Sequence, residues 1–246
     1  MAMRVREFAK TLDHTLLKPD ATEEDVRMLC KEAAHHHFAA VCVLPCYVRF
    51  ASRELHGTDV KVATVVSFPF GADTTAVKAA AIRDVMGGGA SELEVVMNIS
   101  KFLSGDSSYV AEELATLKAE VDVAARDQGL DHVGLKVIIE TAYLTDEMKR
   151  LATRIVAESG ADFVKTSTGF GPGGATVEDV ALLREEAPEE LAVKASGGIR
   201  NLEDALAMLD AGASRLGASS GVAIMREAGD GGGLLASGDR PPLDAR

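Results

Sequence analysis

Positive charge is scarce in this chain: its 246 residues carry 26 lysines and arginines against 38 aspartates and glutamates, a formal net charge of −12. A surface of that sign excludes broad binding to nucleic acid or to an anionic membrane, since both present negative charge. A local basic pocket for a small anion stays compatible with it. Cysteine is scarce as well. Cys30, Cys42 and Cys46 are odd in number and lack the paired spacing of a zinc motif, which points to free thiols in a reduced, cytoplasmic setting. Long apolar runs are missing, and none approaches the roughly 18 residues needed to cross a bilayer. The first ten residues hold no apolar core followed by a small-residue cleavage site, so no secretory signal is expected. No Gly-x-Gly-x-x-Gly follows an early strand, which leaves a doubly wound dinucleotide-binding sheet without its fingerprint. His35, His36 and His37 do not make up for the lack of a metal motif. Successive helical side chains point about 100° apart and cannot close on one ion.

What the chain does contain is alternation. Short β-type runs (Ala40 to Val43, Val60 to Val66, Glu92 to Met97, Leu135 to Ile139, Phe163 to Lys165, Ala192 to Lys194, Arg215 to Leu216) are separated by helical patterns. Most runs are apolar at consecutive positions, as expected when helices cover one face of a parallel sheet. The helical stretches open on capping residues, as at Thr22 with Glu23, Glu24 and Asp25 behind it. They close on glycines, as at Gly129, Gly160 and Gly212. The stretch around Asp13 to Leu16 supplies an eighth strand. With 47% hydrophobic residues, the economical solution is one α/β domain, a (β/α)8 TIM barrel with a short N-terminal helix, over residues 1–228. Residues 229–246 are rich in Gly, Asp and Pro and read as a flexible tail.

Two lysines end apolar runs: Phe163-Val164-Lys165 leads into Thr166-Ser167-Thr168-Gly169, and Ala192-Val193-Lys194 leads into Ala195-Ser196-Gly197-Gly198. One strand-helix-strand unit separates them, so a parallel sheet places both amines at the same end of neighbouring strands. A free lysine titrates near ~10.4, which leaves about one in 2,500 neutral at pH 7. An adjacent cation and partial burial correct this, and a neutral amine attacks a carbonyl. Glu94 and Lys136 also fall on strands and complete a list of strand-end candidates. Three lysines and a carboxylate in one barrel are expected to compensate one another, with Lys136 pairing to Glu94. The alternative for any one lysine is a stem lying along the outer face with its amine in water. Thr168-Gly169, Gly197-Gly198 and Gly217-Ala218-Ser219-Ser220 bring small residues to three successive late strand ends, the pattern of a backbone anion nest.

The stretches Asp13-His14-Thr15-Leu16-Leu17-Lys18-Pro19, Leu135-Lys136-Val137-Ile138-Ile139-Glu140-Thr141, Ala161-Asp162-Phe163-Val164-Lys165-Thr166-Ser167-Thr168-Gly169 and Val193-Lys194-Ala195-Ser196-Gly197-Gly198-Ile199-Arg200 together resemble the motifs of the 2-deoxyribose-5-phosphate aldolase family, in order from about Val5 to Arg226. The resemblance implies a class I aldolase on a β/α barrel that needs no metal or other cofactor. Its reaction interconverts 2-deoxy-D-ribose 5-phosphate with acetaldehyde and D-glyceraldehyde 3-phosphate. By resemblance, Lys165 is the Schiff-base lysine, Lys194 the neighbour that tunes it, and Glu94 stands where the family has its relay aspartate. Gly169, Gly198, Ser219 and Ser220 fall on phosphate loops together with Thr168 and Gly197, and Asp13 and Thr15 are substrate contacts. The partners implied are a small sugar phosphate and acetaldehyde, with neither nucleic acid nor membrane, in a homo-oligomer, dimer or tetramer.

Two departures stand out. Glu94 is one methylene longer than the family's aspartate, enough to displace a proton relay; the expectation is a reduced rate that Glu94→Asp raises. The tail has no tyrosine, where some relatives use one in proton transfer. Phe170 stands where some relatives place a phosphate-binding lysine, which leaves open another short phosphorylated aldose or an unphosphorylated aldehyde as substrate. A sugar-phosphate-binding protein without turnover is the reading from a different class. The aromatics of Ser67-Phe68-Pro69-Phe70-Gly71 are expected to pack at the mouth.

Overall fold

The computed structural model describes residues 3–230 and 234–235. Eight parallel strands close into a barrel: β2 (Leu12–Leu16), β3 (Ala40–Val43), β4 (Lys61–Val66), β5 (Glu92–Val96), β6 (Gly134–Ile138), β7 (Phe163–Lys165), β8 (Ala192–Ser196) and β9 (Arg215–Ala218), with β9 pairing back to β2. Before them come β1 (Met3–Arg4) and the short N-terminal helix α1 (Val5–Ala9). The covering helices are α2 (Glu23–His36), α3 (Val48–Glu54), α4 (Thr75–Gly87), α5 (Ile99–Leu103), α6 (Ser107–Asp127), α7 (Asp146–Glu158), α8 (Val177–Glu186), α9 (Leu202–Asp210) and α10 (Gly221–Asp230). The expected TIM barrel is the fold found.

The caps explain where the helices begin. Thr22, Thr145, Thr176 and Asn201 each accept a hydrogen bond from the amide three residues on, which satisfies a donor that the first turn leaves unpaired. At the end of α2 no glycine is present, and His37 itself takes the left-handed conformation (φ 57°) while its ring meets Asp59 at 3.0 Å. The β3-to-β4 connection shows no helical pattern in the sequence. There a 3-10 turn, Pro45–Tyr47, feeds the seven-residue α3, a segment too short to show helical periodicity.

Strand alternation divides the apolar residues between two places. Val41, Val43, Val62 and Val66 face the helices and join the large outer core. Ala40, Cys42, Ala63 and Val65 face the lumen, where Leu17 joins them and Leu44 and Phe68 pack alongside. α10 runs across the boundary expected at residue 228. Of the expected tail, β10 (Leu234–Leu235) pairs antiparallel with β1; residues 231–233 and 236–246 lie outside the described residues. Among the described residues, no helix is long and apolar enough to cross a membrane.

Candidate active site

The lumen holds a ladder of charge. Register sets Lys165 beside Lys194 and Glu94 beside Lys136 on adjacent strands, and all four side chains turn inward. Lys165 Nζ lies 2.5 Å from Glu94 Oε2. Lys194 binds the other oxygen of the same carboxylate and also Asp13. The two lysines therefore do not face one another bare, because Glu94 bridges them. Lys136 donates to Glu92 and to Asp13 (3.2 Å), with Glu94 the most distant of its carboxylates at 3.6 Å. The expected Lys136–Glu94 pair is present, but Glu92 and Asp13 are the nearer partners. Arg215 closes the lower end through Asp13 (2.7 Å) and Glu92 (2.8 Å), and half-exposed Lys61 reaches Glu92 at 3.1 Å. The Phe163 ring lies 5.9 Å from Lys136 Nζ and 6.0 Å from the Arg215 guanidinium, close enough for its face to attract both.

The heights of these groups differ from a simple strand-end reading. Only Lys165 is the last residue of its strand; Glu94, Lys136 and Lys194 sit at mid-strand because β5, β6 and β8 each continue for two more residues. Lys165 alone of the three lysines keeps measurable exposure, 3%.

Electrostatics follows from the partners. Burial would raise the Glu94 carboxyl, but Lys165, Lys194 and Lys136 override it and hold it far below the ordinary carboxylate range. Burial likewise opposes, and Arg215, Lys136 and Lys194 outweigh it, at Asp13. Lys136 moves upward, since Asp13 and Glu92 outweigh the cost of its burial. Apart from Lys61, the cations Lys136, Lys165, Lys194 and Arg215 face the carboxylates Asp13, Glu92 and Glu94. Even with Lys61 set aside, the cations of this cluster outnumber its carboxylates by one. Cys42 faces the same lumen, and burial together with the nearby Glu94 pushes its thiol up to about 12.

Above the ladder the loops after β7 and β8 touch backbone to backbone. A side chain on Gly174 would meet the Gly197 carbonyl oxygen at 2.2 Å, and both Gly197 and Gly198 sit at φ +86°. Ser196 Oγ donates to the Ser167 carbonyl at 2.5 Å. The amides of this region are not all bare, as the small-residue pattern suggested. Thr168 N donates to Glu140 and Phe170 N to Thr168 Oγ1 (3.0 Å). Gly169, at φ +84°, lies between them. Ser219 is exposed, and Ser220 stands immediately before α10, its carbonyl accepting from Ile224 N at 3.0 Å. The structure thus gathers the small residues of three loops around one rim, with a helix N-terminus beside them.

Asp13, expected as a substrate contact, is fully buried and bonded to cations, while Thr15 is half-buried and donates to the Asp13 carbonyl at 3.0 Å. Phe68 packs as expected, but Phe70 is 78% exposed and packs little. Glu92, Arg215 and Glu140 were not singled out in the sequence. Glu92 carried a signal, since it lies two residues before Glu94 and shares its face of the strand. Glu140 carried none: its role depends on a left-handed backbone (φ 55°) at the exit of β6.

Comparison with known proteins gives the family of the chain. Residues 8–228 match the model of the DeoC/LacD family aldolase. The chain is 52% identical over 220 residues to a deoxyribose-phosphate aldolase of Caldanaerobacter subterraneus, covering 89% of this chain and 93% of that one. It is 50% identical to one of Staphylococcus carnosus, covering 89% and 96%. The solved tetrameric deoxyribose phosphate aldolase of Aeropyrum pernix superimposes with a TM-score of 0.82 at 35% identity, covering 92% of each chain.

Proposed function

The chain belongs to the DeoC/LacD family of aldolases, and from that premise we propose that it cleaves 2-deoxy-D-ribose 5-phosphate reversibly to D-glyceraldehyde 3-phosphate and acetaldehyde through a Schiff base on Lys165. One observation carries the choice of nucleophile. Among the described residues Lys165 has a single carboxylate partner and stands nearest the mouth, whereas Lys194 is held by two carboxylates and Lys136 by three.

In this reading the neutral Lys165 amine attacks C1 of the open-chain sugar, and loss of water gives a protonated imine. A base takes the proton of the C3 hydroxyl while the electrons of the C2–C3 bond move into the imine. Glyceraldehyde 3-phosphate leaves, and the two-carbon fragment stays on Lys165 as an enamine. Protonation at C2 and attack by water then release acetaldehyde and the free amine. Glu94, kept ionised by its three ammonium neighbours, stabilises the imine cation, and Lys194 passes protons beside it. Lys136, with Glu92, Arg215 and Asp13, fixes the position of both. Gly169, Gly197, Gly198, Ser219 and Ser220 take the phosphate, which supplies binding energy away from the reacting carbons. A homo-oligomer in a reduced cytoplasm belongs to the same proposal, supported by the tetrameric relative and by two buried free thiols, Cys30 and Cys42.

Borohydride trapping with 2-deoxyribose 5-phosphate and mass mapping of the adduct test the assignment. The expected product is one adduct on Lys165, lost in Lys165→Met together with turnover, by a factor on the order of 10⁴ or more. An adduct on Lys194 or Lys136 instead would reassign the nucleophile, and none on any lysine would refute Schiff-base chemistry.

A further inference from the structure

Two phenylalanine rings meet across the mouth of the barrel. Phe68 stands on the loop after β4 and Phe170 on the loop after β7, three strands further round. The rings touch edge to face, with centroids 5.3 Å apart and planes at 84°, the arrangement that ring quadrupoles favour. Both loops are tied down. In the first, Gly71 N donates to the Ser67 carbonyl at 2.7 Å, and a side chain on Gly71 would meet the Met97 carbonyl oxygen at 2.0 Å. In the second, Glu140 holds Thr168 through its amide (3.2 Å) and its hydroxyl (2.5 Å). The contact therefore joins two anchored loops, and the parts free to swing are the rings.

Beneath the rings the reactive groups are closed in. Lys165 is almost fully buried, and Glu94, Lys194 and Cys42 are completely so. A substrate carbonyl has to reach Lys165 Nζ, so the mouth must open wider than this arrangement. The two sides of the lumen also differ. Charge lines β5 to β9 and, through Asp13, β2, while Ala40, Cys42, Ala63 and Val65 on β3 and β4 make a wall of small apolar groups on which Phe68 packs. A sugar bound to Lys165 with its phosphate toward the loops of β7 to β9 leaves that apolar side facing carbons 1 and 2.

We propose that Phe68 and Phe170 set the size of the donor aldehyde: they roof the apolar side of the lumen so that a two-carbon aldehyde reaches Lys165 and longer unbranched aldehydes are turned away. The proposal rests on Lys165 being the Schiff-base nucleophile. Its test is the initial rate of borohydride-trapped Lys165 adduct with acetaldehyde and with butanal, in the full chain and in Phe68→Ala, Phe170→Ala, the double variant and Phe70→Ala. The butanal-to-acetaldehyde ratio should rise about two- to twelvefold in either single variant, the range set by one aromatic pair. The double variant should add little, because either truncation already removes the contact. Phe70→Ala, on the same loop but outside the pair, should leave the ratio unmoved. Phe170 is 51% exposed, so its variant carries the test even if Phe68→Ala does not fold. A ratio unchanged in Phe170→Ala, or raised equally in Phe70→Ala, overturns the proposal alone. Absence of any Lys165 adduct with acetaldehyde in the unmodified protein overturns the nucleophile assignment and this proposal with it.

Discussion

In the barrel lumen Lys136, Lys165, Lys194 and Arg215 share Asp13, Glu92 and Glu94, whereas between α4 and α6 a single lysine, Lys78, faces a single glutamate, Glu113, at 2.8 Å. All these side chains are buried or nearly so, yet their chemistry runs in opposite directions. Burial moves Lys78 down despite Glu113, and moves Glu113 up despite Lys78. In the lumen burial loses, and Glu92 and Glu94 are held below their ordinary range by their cations. One opposite charge does not offset the desolvation of two ions, while several around each carboxylate do. The isolated pair has another use. Lys78 Nζ donates to the Val96 carbonyl at 2.8 Å, and Glu113 accepts from Asn98 N at 3.1 Å. It grips the exit of β5, the strand that carries Glu94.

The largest effect should come from breaking the isolated pair. Glu113→Leu leaves Lys78 buried without its counter-ion, a loss of about 3–5 kcal/mol in urea unfolding. Adding Lys78→Met should regain only part of that, since the Val96 carbonyl and the Asn98 amide each still lack a partner worth about 1–3 kcal/mol when buried. An unchanged midpoint in Glu113→Leu would mean the pair does not act as a unit.

Acid should separate the two regions next. The lumen carboxylates have folded pKa values below their unfolded ones, so their contribution is complete above about pH 4 and is lost as pH falls through the folded values. Glu113 has the opposite sign: its penalty is relieved as pH falls through its raised value. The melting temperature should therefore drop steeply below about pH 4, and less steeply in Glu94→Gln. Parallel curves for the two proteins would place the acid sensitivity elsewhere.

The smallest effect loosens the lumen without emptying it. Glu94 reaches Lys165 at 2.5 Å while also holding Lys194. Glu94→Asp withdraws the carboxylate by about one carbon–carbon bond and makes room for a water between acid and amine. A few-fold rise in kcat is expected, and a fall would show that the longer side chain suits this lumen.

Much of this architecture was legible because its causes are local. Apolar runs of strand length, capping residues and terminal glycines act within a few residues of one another, and they located nearly every barrel strand and most of the helices. α3 escaped because seven residues show too little periodicity, and at the end of α2 His37 takes the left-handed conformation that glycine usually supplies. Lys165, Lys194 and Glu94 were legible through their motifs. Arg215, which opens β9, was not, because nothing near it in the chain marks its bond to Asp13 at the other end of the sequence.

By itself, then, the sequence determined the alternation of elements, the barrel that alternation folds into, and the lysines on its strands, since each depends on neighbouring residues or on a motif held in one segment. Tertiary structure alone decided that Glu94 lies between the two lysines, that Asp13 serves the cations at the floor, that Glu140 holds the loop of Thr168, and that Phe68 meets Phe170 over the mouth. Each of these is a contact between segments far apart in the chain. Barrel closure sets their distances, and the energies of charge and of ring contact depend on distance.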